Sequence, residues 1–494
     1  MTIIDSLSDH FSPQQLELSE EVLLRYGSSL SGSVVKPSAV FFPESTDDVL
    51  KIVQLANSQR VVLFPISRGK NFGYNEAQGS AEGQVIVDMS RMNKIVEVNE
   101  KLAYATIQPG VSQQQLSNYL KEKNLKFQLD VTGAGYDASI VGNILERGFG
   151  HTDYGDRWAR VISLEVVLGN GSVIRTGMNS SENTYRYGIG PMLDGLFSQS
   201  NFGIITQMTF ELMPKPERML MFVLSTKEEK NLEGIVAAIR ELKLQGIVQS
   251  AVHIANKARA VGEKENKLAG VWNLSGNISG NSNLISSKKS LIRKAFSKHI
   301  RNFRLMFIGK GMLNSLKWIY ENITPMQVYP ALRDIYELQD GVPTEEPLRT
   351  LLNDATLHSS TLNARQYQQG FYWLNAVINA NENDVRKAID VLTKLFAEWK
   401  YEFRVTMTYV NPRCMILISN ISFQKTEEEI KRAADFCKLC YKELQSAGYY
   451  PYRSGSNLYD KLPPFEKNYS EVLQQLKKVF DPNNIIAPGK YNIT

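Results

Sequence analysis

At 494 residues the chain exceeds what one hydrophobic core holds, so two large domains are expected. Hydrophobic residues at 43% and charged residues at 22% make an ordinary globular composition. The net charge of +5, from 56 basic against 51 acidic residues, is too even to argue for a nucleic-acid partner.

The N-terminal stretch MTIIDSLSDHFSPQQLELSEEVLLRYG lacks the basic region and apolar run of a signal peptide. No apolar run reaches the roughly 18 residues of a membrane span, so a soluble, cytoplasmic protein without a membrane partner is expected. PSAVFFPES is a short apolar run closed by proline. STDDVLKIVQLANSQR then opens with Ser45 or Thr46 as a cap and carries apolar residues at helical spacing. VVLFPIS reads as a strand that ends in the loop RGKNFGYNEAQGS. GQVIVDMSRMNKIVEVNEKLAYATIQPGV reads as consecutive strands, and QQQLSNYLKEKN as a helix. These short units predict an α+β domain with a parallel element near its start. VISLEVVLGNGSVIRTG is a hairpin signal through Gly169-Asn170-Gly171. GPMLDGLFSQSNFGIITQMTFELMPKP predicts a helix, a turn at Gly203 and a strand closed by prolines.

From about residue 215 the texture changes. GEKENKLAGVWNLSGNISGNSNLISSKKSLIRKAF is polar, rich in Gly, Ser and Asn, and reads as a surface insertion with a solvated charged face. DVRKAIDVLTKLFAEW and TEEEIKRAADFCKLCYKEL read as helices, and FRVTMTYVNPRCMILISNISF as a pair of strands. A second α+β domain over residues 215–454 follows. Cys437 and Cys440 form a lone CxxC on an amphipathic helix. With Cys414 apart and no second Cys/His pair nearby, buried core thiols are expected rather than a metal site, and a reducing compartment fits.

Two glycine-bearing loops stand out: Pro65–Ser80, and Asp130–Asn143 running on into ERGFGHTDYGD. Neither contains GxxxxGK followed by Ser or Thr, and neither is a GxGxxG turn between strand and helix, which argues against nucleotide hydrolysis and a Rossmann domain. Main-chain amides in two such loops can still form an anion nest. On the residues alone, a cofactor cradle and plain turns are equal readings.

PISRGKNFGYNEA, SIVGNILERGFGHTDYGDRW, DGLFSQSNFGIITQMTFELMP and DPNNIIAPGKY, in that order, resemble the vanillyl-alcohol oxidase and p-cresol methylhydroxylase family of flavoproteins. The resemblance is nearly continuous over about 35–214 and 455–494 and weaker between. It implies an α+β fold, with a two-subdomain FAD-binding (PCMH-type) domain in residues 1–214 and 455–494 and an α+β substrate cap in 215–454. It implies that Ser67, Arg68, Gly69, Lys70, Asn71 and Gly73 meet the FAD pyrophosphate from one side, and Ser139, Ile140, Gly142 and Asn143 from the other. Gly148 and Gly150 then lie near the ribityl chain or ring, and Ile204 and Ile205 along the adenine end.

Phenol-oxidising members hold the phenolate with two tyrosines and an arginine, and Tyr74, Tyr452 and Arg453 match those positions. The alternative for each is packing, or an ion pair of Arg453 with an acid in the cap. The resemblance implies a small aromatic substrate, with dioxygen or an electron-carrier protein as oxidant, no metal, and a homodimer by analogy with other members. An aspartate that vanillyl-alcohol oxidases keep near the flavin is replaced in DVTGAGYD, where Asp130 keeps the first acid and Asp137 is the stand-in. His151 occupies a position usually aromatic or small, where an imidazole can act as base, hydrogen-bond donor or stabiliser of reduced flavin. The stretch that carries a flavin-linking histidine in many members has none here, so non-covalent FAD is expected, with Tyr372, and Tyr367 behind it, as the candidate for a covalent link instead.

Overall fold

A computed structural model describes residues 3–177, 184–261, 269–322, 328–462 and 465–494. Three large sheets and a two-stranded ribbon, Phe127–Gln128 with Met213–Pro214, organise them. In the first, the strands Ala39–Phe41, Val85–Asp88 and Leu63–Ile66 run parallel, and Leu16–Glu17 pairs antiparallel at one edge. The helix Thr46–Gln59 covers this sheet because Val49, Ile52, Val53 and Ala56 recur at helical spacing and are all buried. Ser45 is its cap: its hydroxyl accepts from Asp48 N at 3.1 Å while the Asp48 carboxylate accepts from Ser45 N at 3.1 Å.

The other edge of this sheet takes up the end of the chain. Leu63 N donates to Ile485 O at 2.7 Å and Ala487 N to Leu63 O at 2.8 Å. The segment is anchored by Lys477, whose buried ammonium meets Asp481 at 2.7 Å, Asn201 O at 2.8 Å and Ile486 O at 2.9 Å.

The second sheet is antiparallel, in the order Ile95–Asn99, Tyr104–Ile107, Gly203–Glu211, Val161–Leu168, Val173–Arg175. It contains the hairpin expected around Gly169–Gly171. Gly203 opens a strand instead of making a turn: a Cβ there would lie 2.5 Å from Val166 Cγ1, so close strand approach is what requires glycine. The helix expected before it is a single 3-10 turn, Asp194–Phe197.

The third sheet has seven antiparallel strands, in the order Phe303–Ile308, Arg218–Thr226, Trp272–Gly280, Val252–Asn256, Val405–Tyr409, Cys414–Gln424, Gln369–Asn379. It corrects the expected surface insertion. Trp272–Gly280 is an interior strand, and the helix Ser282–His299 that follows buries Ile285, Ile292, Ala295 and Phe296. Residues 262–268 of that stretch lie outside the described residues. Composition misled because alternate positions do different work. Trp272, Leu274 and Ile278 join a core under the helices Asn231–Leu244, Ser282–His299, Glu382–Glu398 and Glu427–Ser446, while Asn273 and Ser275 face the opposite way. Cys437 and Cys440 are buried on the last of these helices, and burial pushes the Cys437 thiol up to about 12. Among the described residues no helix is long and apolar enough to cross a membrane.

Candidate active site

A cavity of about 1070 Å³ opens where the three sheets meet. It exceeds the upper end of the roughly 300–1,000 Å³ that holds one small ligand, which leaves room for a cofactor and a substrate together. One wall is the loop leaving the parallel strand Leu63–Ile66, with Ser67, Arg68, Gly69, Lys70 and Asn71 on the cavity. This is the carboxyl end of a parallel strand, where open α/β sheets collect ligands. Facing it are Ser139, Gly142, Asn143 and Gly148, with Ile204 and Ile205 at one side. The Ser139 hydroxyl caps the helix Ile140–Leu145 by accepting from Gly142 N at 2.9 Å and donates to Pro109 O at 2.6 Å. A Cβ on Gly142 would sit 2.7 Å from Ser67 Oγ, so the two loops approach closely only because this position is glycine.

The opposite end is aromatic and cationic. Arg453 lies over the Tyr74 ring at 4.2 Å and the Tyr452 ring at 5.3 Å, and its buried Nε–H has no acceptor among the described residues. Asn375 ties the three together: its amide nitrogen meets Tyr74 OH at 3.2 Å and Arg453 O at 3.1 Å, and its oxygen accepts from Tyr452 N at 3.0 Å. Burial alone would lower the Arg453 pKa, but Tyr452, Tyr74 and Glu146 outweigh it and hold the guanidinium above its ordinary range. Burial raises Tyr452, so a neutral hydroxyl sits beside a permanent cation. Glu146 is itself held low despite burial by Lys490 at 2.8 Å and by Tyr491.

Beyond Phe149, whose ring is 6.3 Å from Tyr452, two histidines lie with ring centres 4.6 Å apart and planes inclined by 35°. Both His151 and His253 line the cavity. Burial and the Arg157 charge lower His151 to about 4. Burial, with His151 and Lys243 adding, lowers His253 as well. His253 Nδ1 pairs with Thr408 Oγ1 at 3.0 Å, and its buried Nε2 has no partner among the described residues.

Seven of the residues named from sequence lie off the cavity. Asp137 pairs with Arg68 and lies 3.7 Å from Lys70, so it straps one glycine loop to the other and presents no free carboxylate to a ligand. Gly73, at φ 75°, admits Phe371 and Trp373 where a side chain would stand. Gly150 makes room for the Asp130 carboxylate, which accepts from Thr152 N and Oγ1 at 2.9 and 2.7 Å. Ile140 packs into the core beneath the second sheet. Tyr372 is turned away because strand residues alternate: it stacks on Phe423 in the helix-covered core, while Trp373 beside it reaches the cavity. Tyr367, behind it, hydrogen-bonds Asp354 at 2.8 Å.

A family model described as FAD binding domain matches residues 37–177. A 1'-carboxy-chondrochloren decarboxylase of Chondromyces crocatus is 30% identical, aligned over 92% of this chain and 90% of its own. The flavoprotein subunit of a 4-cresol dehydrogenase [hydroxylating] of Pseudomonas putida is 29% identical, over 92% of this chain and 88% of its own. The solved 4-ethylphenol oxidase of Gulosibacter chungangensis, in complex with isoeugenol, superposes with a TM-score of 0.88 at 26% identity, covering 99% of this chain and 96% of that one. The chain belongs to the vanillyl-alcohol oxidase and p-cresol methylhydroxylase family.

The protein is therefore an FAD-dependent oxidoreductase with the family's PCMH-type fold. Its cavity suits that cofactor: two loops that only glycine lets approach form one wall, and buried aromatic and cationic groups form the other. Sequence reading missed His253, Asn375, Trp373, Glu146 and Lys490. The first three sit on strands of the seven-stranded sheet, where the available signal was alternation of polar with apolar residues. Lys490 lies within DPNNIIAPGKY, a matched motif whose side chains had not been assigned.

Proposed function

We propose that this flavoenzyme oxidises a 4-substituted phenol, or a related small aromatic alcohol, at the carbon next to the ring. The observation that carries this reading is the Arg453 guanidinium between Tyr74 and Tyr452, with a buried donor lacking a protein acceptor among the described residues. A free phenol titrates near 10. One cation and two hydroxyl donors favour its ionised form by charge and hydrogen bonding. Because Tyr452 is held neutral, the proton lost is the substrate's. The phenolate then pushes electrons toward the para position, which loosens hydride on the adjoining carbon. FAD, when bound, supplies the acceptor for that hydride. The resulting quinone methide takes up water or gives up a proton, and we assign that proton to the neutral His151–His253 pair.

On this reading residues 1–214 and 455–494 hold the cofactor and 215–454 form the cap. Ser67–Asn71, Ser139, Gly142, Asn143 and Gly148 contact FAD. We take the link to be non-covalent, because Tyr372, the candidate for a covalent one, packs in the helix-covered core. A cytoplasmic homodimer, with dioxygen or an electron-carrier protein as oxidant, completes the reading. Anaerobic mixing of the FAD-loaded protein with para-alkylphenols and aromatic alcohols tests it. Bleaching of the visible flavin band is expected, and a band untouched by every phenol counts against it.

The relative named as a decarboxylase favours a second reading, a tailoring oxidase whose aromatic substrate also carries a carboxylate. With that group on the carbon next to the oxidised one, loss of CO2 returns the C–C bonding pair to the quinone methide. The ring becomes aromatic again and an alkene is left. Release of one CO2 per flavin reduced separates this reading from the first.

A further inference from the structure

We infer that Arg259 is a second anion subsite of the cavity, built to hold a carboxylate at the end of the substrate remote from the phenol. This rests on the phenol-oxidising reading for its far end, and on the geometry around Arg259 for itself. Arg259 stands on the short helix Lys257–Val261, directly after the cavity-facing strand Val252–Asn256. Asn256 fixes that junction: its oxygen accepts from Arg259 N at 3.0 Å and Val405 N at 3.2 Å, and its nitrogen donates to Phe403 O at 2.7 Å. The guanidinium lines the cavity, lies over the Trp373 ring at 5.7 Å, and donates from Nη1 to Asn420 Oδ1 at 3.1 Å.

What Arg259 lacks is a counter-ion. No carboxylate among the described residues pairs with it, and its charged neighbour is Arg404, whose guanidinium is bonded to Glu402 at 2.6 Å. Burial, and then the like charge of Arg404, bring Arg259 down to about 10, so it remains a cation at neutral pH. A half-buried cation whose remaining planar donors carry no protein acceptor among the described residues is stabilised by a bidentate carboxylate. Arg404 and Glu402 offset each other, which leaves one positive charge at this wall.

The spacing selects the substrate class. Trp373, under Arg259, is two residues from Asn375, which holds Tyr74, Tyr452 and Arg453. Two residues along a strand span roughly 7 Å and share a face, so the two cationic groups stand at separate points of one wall. A phenol with a short carboxylated para side chain bridges such a gap, whereas a cresol does not.

The test uses FAD-loaded enzyme in anaerobic mixing, with 4-propylphenol, 3-(4-hydroxyphenyl)propanoate and 3-phenylpropanoate as probes. Dissociation constants come from flavin reduction or, for the last compound, from perturbation of the flavin band. The wild type is expected to prefer the carboxylated phenol to 4-propylphenol. Arg259→Met should cut that preference on the order of 10- to 100-fold and weaken 3-phenylpropanoate equally. Arg259→Lys keeps the charge without the planar fork and should fall between, which guards against misfolding of the methionine variant. A preference that survives Arg259→Met, or is absent in the wild type, overturns the subsite. If no phenol reduces the flavin, the phenol reading fails by itself, and Arg259-dependent binding of 3-phenylpropanoate still decides this inference.

Discussion

The two walls of the cavity are built by different means. The wall of glycine loops is shaped by backbone: Gly142 lets two loops come together, and Ser139 turns its hydroxyl to a cap. The opposite wall is built from side chains drawn from segments far apart in the chain. His253, Thr408, Asn375 and Arg453 meet only after the seven-stranded sheet forms. Backbone recognition needs consecutive residues of a fixed kind, so it leaves a motif. Side-chain recognition on a sheet needs only every second residue, so it leaves an alternation that composition hides.

Four perturbations sharpen this contrast. The largest effect is expected beside the parallel sheet at Asp481, which accepts from Lys477 and from the amides of Ile485 and Ile486. Asp481→Ala strands a buried ammonium and should cost about 3–5 kcal/mol, read from denaturant unfolding of the holoprotein. A loss below about 1 kcal/mol would mean that the C-terminal segment is not held as described. On the substrate side, Arg453→Ala should lower kcat/KM for para-alkylphenols by roughly 10²–10³-fold while FAD stays bound. Parallel loss of flavin would instead make Arg453 a cofactor residue. Gly142→Val pushes the loops apart and should weaken FAD affinity by roughly 10- to 100-fold, measured by titration of apoprotein.

The smallest effect is the pH response of His151. Its folded pKa of about 4 lies below the unfolded value near 6.5, so the unfolded chain binds more protons between them. Stability is full above that window and falls as pH drops through it, by about 1–2 kcal/mol between pH 7 and 5 for this residue. His151→Asn should flatten that part of the profile, and an unchanged slope would show that His151 is not buried as a neutral group.

The same contrast explains what sequence alone could reach. The parallel strands, the helix capped by Ser45, the hairpin at Gly169–Gly171 and both glycine loops were legible because each depends on neighbours in the chain. The strand Trp272–Gly280 was not, since its Asn, Ser and Gly suit a loop as readily as a cavity-facing strand. Asp137 and Tyr372 were misplaced for a related reason. A carboxylate near a glycine loop and a tyrosine on the strand Gln369–Asn379 look functional until Arg68 claims the first and strand alternation turns the second inward. Tyr74 lies within a matched motif and Tyr452 and Arg453 in YYPYRSG, just before the matched C-terminal range, and the structure brings all three onto one wall.

The central claim is that the two glycine loops hold FAD non-covalently beside a side-chain-built cavity. The most direct measurement is the visible spectrum of the purified protein supplied with FAD, taken before and after acid precipitation. The account predicts a bound flavin band that passes entirely into the acid supernatant. Failure of folded protein to take up FAD would contradict the claim outright, and yellow colour retained in the pellet would contradict the non-covalent assignment.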